Sequence, residues 1–356
     1  MPKEHLELLV CPDCKENLKK IDIRNTIIGF YCPRCKIVYP VKDDIPIILA
    51  KEVRNYNLEY TLIKEIKNRL SNNSFSELHK YINRTLNLIM LKKTMSTWEW
   101  EDEEFWSKKY VQERKTGIQK NWNDRIWQRE VLIKELTNQL SLKGKTVLDI
   151  GCGEGQNFKF LLSKYCDENS LYIATDISLE GLRLNRSRNT HKNSLYILCS
   201  ADYELPFPDN TIDILCYFGI LHHTKNKSNN IEKDKRLIRK NGCIILAETI
   251  DRPTLLLPSV MPKDETSVHE GHISKKDLLT QLNKGFEVFF VKEEGTPFFT
   301  AMMTLFRNSM LNSKEFFYLF LNLDILFVKT LSHIIPFFRA GEILLLARRR
   351  DISLET

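Results

Sequence analysis

Four cysteines in two C-x-x-C pairs stand near the start of the chain: Cys11 and Cys14, then Cys32 and Cys35, with 17 residues between the pairs. Thiolates at this spacing form the ligand set of a tetrahedral zinc site, and four of them leave no coordination position open to a substrate. A closed site of this kind is structural, and in a segment with little core of its own, metal binding supplies much of the folding free energy. A redox or haem-linked use of one C-x-x-C pair is the alternative; two matched pairs flanking a hairpin speak against it. A second constellation begins at Val147-Leu-Asp149-Ile-Gly151-Cys152-Gly153-Glu-Gly155. Gly151 and Gly153 let backbone amides approach a ligand with no side chain between. Asp176 closes the next apolar run, 27 residues after Asp149, where a carboxylate can accept from both hydroxyls of a ribose.

Histidines supply the remaining candidates. His222 and His223 follow Phe218-Gly-Ile-Leu, and an imidazole titrating near neutrality can take a proton from a hydroxyl. His223 is the preferred base; the competing reading is that both rings pack the loop. His269 and His272, in Val-His-Glu-Gly-His-Ile-Ser, read as part of a substrate loop, with a metal pair as the alternative.

These groups need elements to hold them. Leu18–Ile23 and Ile27–Tyr31 read as a hairpin between the cysteine pairs, and Tyr39–Val41 with Asp43–Leu49 as a second strand pair that closes the module. Residues 51–97 contain no glycine, and their four-residue apolar spacing predicts two helices joined around Asn72-Asn73-Ser74. Trp98–Tyr110 concentrates three of the five tryptophans beside five acidic side chains. It reads as an amphipathic helix whose aromatics pack on the next domain, or as a cap that excludes water from the ligand; Trp122 and Trp127 fit the same cap, with Trp122 assigned to the substrate. Thr146–Ile150, Leu171–Thr175, Leu195–Ser200 and Thr211–Tyr217 are strands, and Asp213 on the last of them braces the fold. Arg239–Gly242 reads as a loop, and Phe286–Val291 with Glu342–Ala347 as a final strand pair around an apolar helical insert at about residues 300–340. Asp324, Lys329, His333 and Pro336 argue against a bilayer span there.

Composition narrows the classes. A 42% hydrophobic content is that of a folded protein, and a net charge of +7 spread along the chain leaves no dense nucleic-acid footprint. Neither a secretory signal nor a transit peptide is visible at the start, and the five cysteines outside the two pairs lack disulfide spacing, so the expected location is cytoplasmic.

Two resemblances follow from these motifs. LLVCPDCKENL followed by CPRCKIVYPVKDDIPIIL resembles the small zinc-ribbon family that activates and stabilises methyltransferases and also occurs fused in front of them, over roughly residues 6–50. The series VLDIGCGEG, ATDIS, ADYELPFPDNTIDIL, FGILHH and IRKNGCIILAE resembles, in order, the class I S-adenosylmethionine-dependent methyltransferases over about residues 120–290. The likeness implies an α/β fold: a Rossmann-like, mostly parallel seven-strand sheet, preceded by a small β zinc ribbon and a helical connector. The expected units are a ribbon at 1–50, a connector and cap at 51–125, and a methyltransferase domain at 126–356. It also implies S-adenosylmethionine as cofactor beside structural Zn2+. Asp149 and the Gly151/Gly153 turn would face its methionine end, Asp176 its ribose, and Ile177 and Asp202 its adenine, with Cys152, Gly155, Ala201 and Phe218 also among the implied cofactor-binding residues. The expected reaction is methylation, preferably on oxygen, of a small-molecule, sugar or lipid-like acceptor. RNA guanine methylation and a scaffold protein without turnover are the rivals, and peripheral membrane contact through the C-terminal apolar segment is a further possibility.

Overall fold

The computed structural model describes residues 3–70, 76–93, 98–116, 138–160, 162–225, 227–250, 273–294 and 342–350. Trp122, Trp127, His269, His272, the turn at Asn72–Ser74 and the apolar stretch at 300–340 lie outside the described residues.

The N-terminal module is a four-stranded antiparallel sheet of β1 (Lys19–Ile23), β2 (Thr26–Cys32), β3 (Ile37–Lys42) and β4 (Ile45–Pro46), in that order. Arg24 and Asn25, at φ of 49° and 64°, form the two-residue turn whose twist suits a hairpin, and Asp43 and Asp44 repeat it at 51° and 56°. The expected strand through Leu49 stops at Pro46. Beyond it the Ile47 amide still donates to the Pro40 carbonyl of β3 at 2.9 Å, while Ile47 also bridges in parallel to Leu198 and the Ile48 amide donates to the Leu198 carbonyl at 2.9 Å. Ile47, Ile48 and Leu49 are all buried, so the apolar run gains more by covering a larger sheet than by extending the small one.

Asn55 caps α1 (Tyr56–Arg69) by accepting from the Leu58 amide at 3.0 Å, and α2 (Ser76–Met90) follows. Ile63, Ile66, Ile82 and Ile89 of this pair pack against Ile21, Ile28 and Val38 of the ribbon. Beneath them, Arg54 and Glu59 form a fully buried ion pair at 2.6 Å, and the Arg54 guanidinium also donates to the Val38 carbonyl at 2.9 Å. A third helix, α3 (Trp98–Thr116), instead joins the larger domain.

That domain is built on β5 (Thr146–Ile150), β6 (Leu171–Asp176), β7 (Ser194–Leu198), β8 (Ile212–Phe218) and β9 (Ile238–Thr249), all parallel, with β10 (Phe286–Glu294) and β11 (Glu342–Arg349) as the antiparallel C-terminal pair. The strand order is β10-β11-β9-β8-β5-β6-β7. Chain order reverses between β5 and β8, so their carboxyl ends open a crevice, the position at which such sheets bind ligands. Helices α4 (Gln156–Phe160), α5 (Leu179–Arg188), α6 (Lys227–Asp234) and α7 (Lys275–Asn283) accompany the strands. Asp213 braces the sheet as expected: its carboxylate accepts from the Thr146 amide at 2.9 Å and pairs with Arg239. Arg239–Gly242 is not a loop. It lies within β9 as a bulge, with Asn241 at φ 62° and the register slipping opposite Ile212–Ile214. Among the described residues no helix is long and apolar enough to cross a membrane.

Candidate active site and metal centre

The four ribbon sulfurs lie within 4.8 Å of one another, with 3.8 Å between Cys11 and Cys35 and 3.4 Å between Cys14 and Cys32. Sulfurs held about 2.3 Å from a central ion stand about 3.8 Å apart in a tetrahedron, so the set fits zinc. Lys15 and Lys36, each directly after a pair, take φ of 61° and 58°, and their amides donate to the Cys11 and Cys32 carbonyls at 2.9 Å. This folds both knuckles toward one centre. Burial pushes the Cys32 thiol up to about 12; a divalent cation is what holds such a cluster as thiolates. The buried Tyr39 hydroxyl, 3.2 Å from Cys11 Sγ, can donate to it in that state.

At the crevice, Ile150 ends β5, and Gly151, Gly153 and Gly155, at φ of 62°, 53° and 77°, turn the chain into α4. A methyl group on Gly153 would stand 2.5 Å from the Tyr110 hydroxyl, and one on Gly151 would collide with Ile220. Both glycines therefore make room for neighbouring side chains as well as for a ligand. Asp176 ends β6 alongside. Its Oδ2 accepts from the Gly153 amide at 2.7 Å and its Oδ1 from the Ser178 amide at 2.8 Å; burial raises its pKa to about 6 against the pull of these bonds.

Cys152, Gly151, Gly153, Asp176, Ile177, Ala201, Asp202, Phe218 and His223 line one cleft. Asp202 also accepts from the Lys225 amide at 3.0 Å and from Asn230 at 3.3 Å, which ties its loop to α6. Asp149 and Gly155 stand behind the lining. Asp149 is buried and accepts from the Tyr172 hydroxyl at 3.0 Å, and Gly155 packs on Asn185.

The opposite wall comes from α3 and from the turn after β8. Trp106 and Tyr110 line the cleft, with their rings stacked at 5.9 Å. The Ser107 hydroxyl lies 2.9 Å from that of Ser178, at the head of α5, and donates to Glu103 at 2.7 Å. Burial raises the pKa of Glu103. The helix thus packs on the larger domain and places two of its aromatics in the cleft wall. His223 sits at the cleft with its ring edge-on to Trp106 at 5.2 Å. His222 is not among the lining residues, and its Nδ1 lies 2.8 Å from Oε2 of Glu248.

A family described as methyltransferase domain matches residues 148–246, and one described as Trm112p-like protein matches residues 3–44. The chain thus carries an S-adenosylmethionine-dependent methyltransferase domain behind a Trm112-like ribbon. The ribbon segment is 39% identical over 61 residues to the UPF0434 protein of Nitrosococcus oceani, covering 17% of this chain and 95% of that protein. The methyltransferase domain is 28% identical over 106 residues to the ubiquinone/menaquinone biosynthesis C-methyltransferase UbiE of Cupriavidus necator, covering 30% of this chain and 43% of that one. It is 24% identical over 166 residues to the 27-O-demethylrifamycin SV methyltransferase of Amycolatopsis mediterranei, covering 42% and 56%. Outside the ribbon, the chain spans about half the length of the curated relatives it matches.

Several residues in or behind this methyltransferase cleft escaped the sequence reading. Gln156 and Asn157 line it from the start of α4, and nothing in their types marked them. Glu248 had a visible signal: it closes the apolar run Ile244–Ala247, at the same sheet end as Asp176. Trp106 was visible only as one member of an aromatic cluster.

Proposed function

We propose that this methyltransferase transfers a methyl group from S-adenosylmethionine to an oxygen of a small-molecule, sugar or lipid-like acceptor, and that zinc at the four cysteines is purely structural. The observation that carries the reading is the buried carboxylate of Asp176, hydrogen-bonded to the amide of Gly153 and open to the same cleft as His223. When bound there, the sulfonium supplies an already activated methyl group, and methylation of a hydroxyl releases one proton.

The residues divide the remaining work. Asp176 accepts from the ribose hydroxyls, Ile177 covers the adenine, and Asp202 accepts from its amino group. Cys152, Ala201 and Phe218 supply apolar wall, the Gly151–Gly153 turn takes the methionine end, and Asp149 and Gly155 hold that turn from behind. Trp106 and Tyr110 exclude water above it, and orientation of this kind can supply about 7–11 kcal/mol of the barrier reduction. His223 takes the proton. Relatives acting on carbon and on oxygen leave the choice of atom to this histidine, and the aromatic wall around it suits an organic acceptor better than a phosphate backbone.

Calorimetric titration tests the donor, and transfer of label from S-adenosyl-[methyl-3H]methionine into fractions of a cell extract tests the acceptor. The expected result is binding that weakens at least tenfold in Asp176→Ala, with label in the small-molecule and lipid fractions. Label confined to RNA would overturn the acceptor class; absence of binding would overturn the whole reading.

A further inference from the structure

Glu248 is almost fully buried at the carboxyl end of β9, and its carboxylate has three donors. Oε1 accepts from the Ile220 amide at 2.8 Å and the Leu221 amide at 2.7 Å; Oε2 faces Nδ1 of His222 at 2.8 Å. A carboxylate in this role only accepts, so Nδ1 of His222 carries a proton. The His222 ring then lies against that of His223, with centroids 3.9 Å apart, and His223 meets Trp106 at the cleft. The same carboxylate braces the turn, since Ile220, held by its amide, packs on Gly151; the Gly219 amide is held separately by the Ala247 carbonyl at 2.8 Å. One buried group thus holds both Nδ1 of His222 and two amides of the turn that presents His223.

We propose that Glu248 is a positioning residue: it holds His222 as the Nδ1–H tautomer and, through that ring and the 219–223 turn, sets His223 at the cleft to receive the acceptor's proton. This deepens the oxygen-methylation reading and rests on it for the proton, but not for the tautomer. Orienting carboxylates of this kind control which imidazole nitrogen is available for proton transfer. The step itself moves one proton, from the acceptor hydroxyl to a ring nitrogen of His223.

The discriminating variant is Glu248→Gln. A glutamine keeps its carbonyl for the two backbone amides, because its NH2 cannot accept from them, and so turns that NH2 toward His222. Nδ1 must then accept, and the proton moves to Nε2. Long-range 15N–1H spectra of the side chains should show His222 protonated on Nδ1 in the wild type and on Nε2 in Glu248→Gln. The dissociation constant for S-adenosylhomocysteine should change less than twofold, and label transfer in the extract assay should fall at least 30-fold. A wild-type His222 protonated on Nε2 alone would overturn the proposal, and that measurement needs no variant to fold. A tenfold loss of S-adenosylhomocysteine binding would also overturn it, by making Glu248 a support of the cofactor turn. If the wild type transfers no label, the oxygen-methylation reading and with it the proton-receiving half of the proposal fail, while the spectra still decide whether Glu248 fixes the tautomer of His222.

Discussion

Asp176 couples two opposed pH dependences in one side chain. Its folded-state pKa of about 6 lies above the ordinary 3.8 because burial disfavours the charged form. In the empty protein this group therefore contributes most to stability below about pH 4, where it is protonated in both states, and the contribution is lost as pH rises through 6. Ligand binding runs the other way, since a ribose needs the ionised acceptor. Calorimetry between pH 5 and pH 8 should show affinity for S-adenosylmethionine flat above about 6 and falling toward about tenfold per pH unit below it; an unchanged affinity at pH 5 would show that Asp176 makes no bond to the ligand. Gly153 is the other residue with a sharp expectation. Gly153→Ala meets both a left-handed backbone at φ 53° and the Tyr110 hydroxyl, so chemical denaturation should report a loss of about 1–3 kcal/mol. Tyr110→Phe in the same chain should recover part of it by removing the contact while leaving the backbone strain.

At the scale of elements, the buried Arg54–Glu59 pair joins the ribbon to the start of α1. Arg54→Ala strands a buried carboxylate and should cost about 3–5 kcal/mol, whereas an Arg54→Met, Glu59→Leu double variant should regain most of that. Denaturant titration of both variants checks it, and equal losses would mean that the pair contributes through shape alone. The helices and strands on either side of this pair were readable in the sequence, because α1 and α2 repeat apolar residues at helical spacing and the central strands are continuous apolar runs. What was not readable depends on partners far away in the chain. Ile47–Leu49 has the composition of a ribbon strand, and only Leu198 reveals why it also pairs with the large sheet. Arg239–Gly242 has loop composition, and only the neighbouring β8 turns it into a bulge. The cleft followed the same division: Asp176 and the glycines stand beside strand ends that the sequence marks, while the meeting of Glu248 with His222 is a contact between two strand ends that neither segment encodes.

For the whole molecule, the ribbon is not a separate bead. Its Leu6, Phe30, Tyr39 and Ile48 share one buried cluster with Leu148, Ile173 and Leu195 of the large sheet. The Val10 amide donates to the Pro206 carbonyl at 3.0 Å, Lys15 pairs with Glu204 at 2.6 Å, and Arg186 pairs with Asp44 at 2.9 Å. The contacts with Leu198 and Pro206 fall on either side of Ala201 and Asp202. Removing metal with a chelator should therefore lower the melting temperature of the whole chain in a single transition and weaken S-adenosylmethionine binding along with it. Circular dichroism and titration on the chelated protein check this, and an independent low-temperature ribbon transition with unchanged binding would contradict it.

The parallel bridge between Ile47 and Leu198 has one more effect. β7 ends the strand order of the large sheet, and a border strand with open amides and carbonyls recruits other chains. The ribbon segment occupies part of that border with a strand from the same polypeptide. A methyltransferase domain cut free of its first 50 residues should accordingly self-associate through β7, visible as concentration-dependent light scattering. The ribbon thus covers part of a border strand that would otherwise stand open to a second chain.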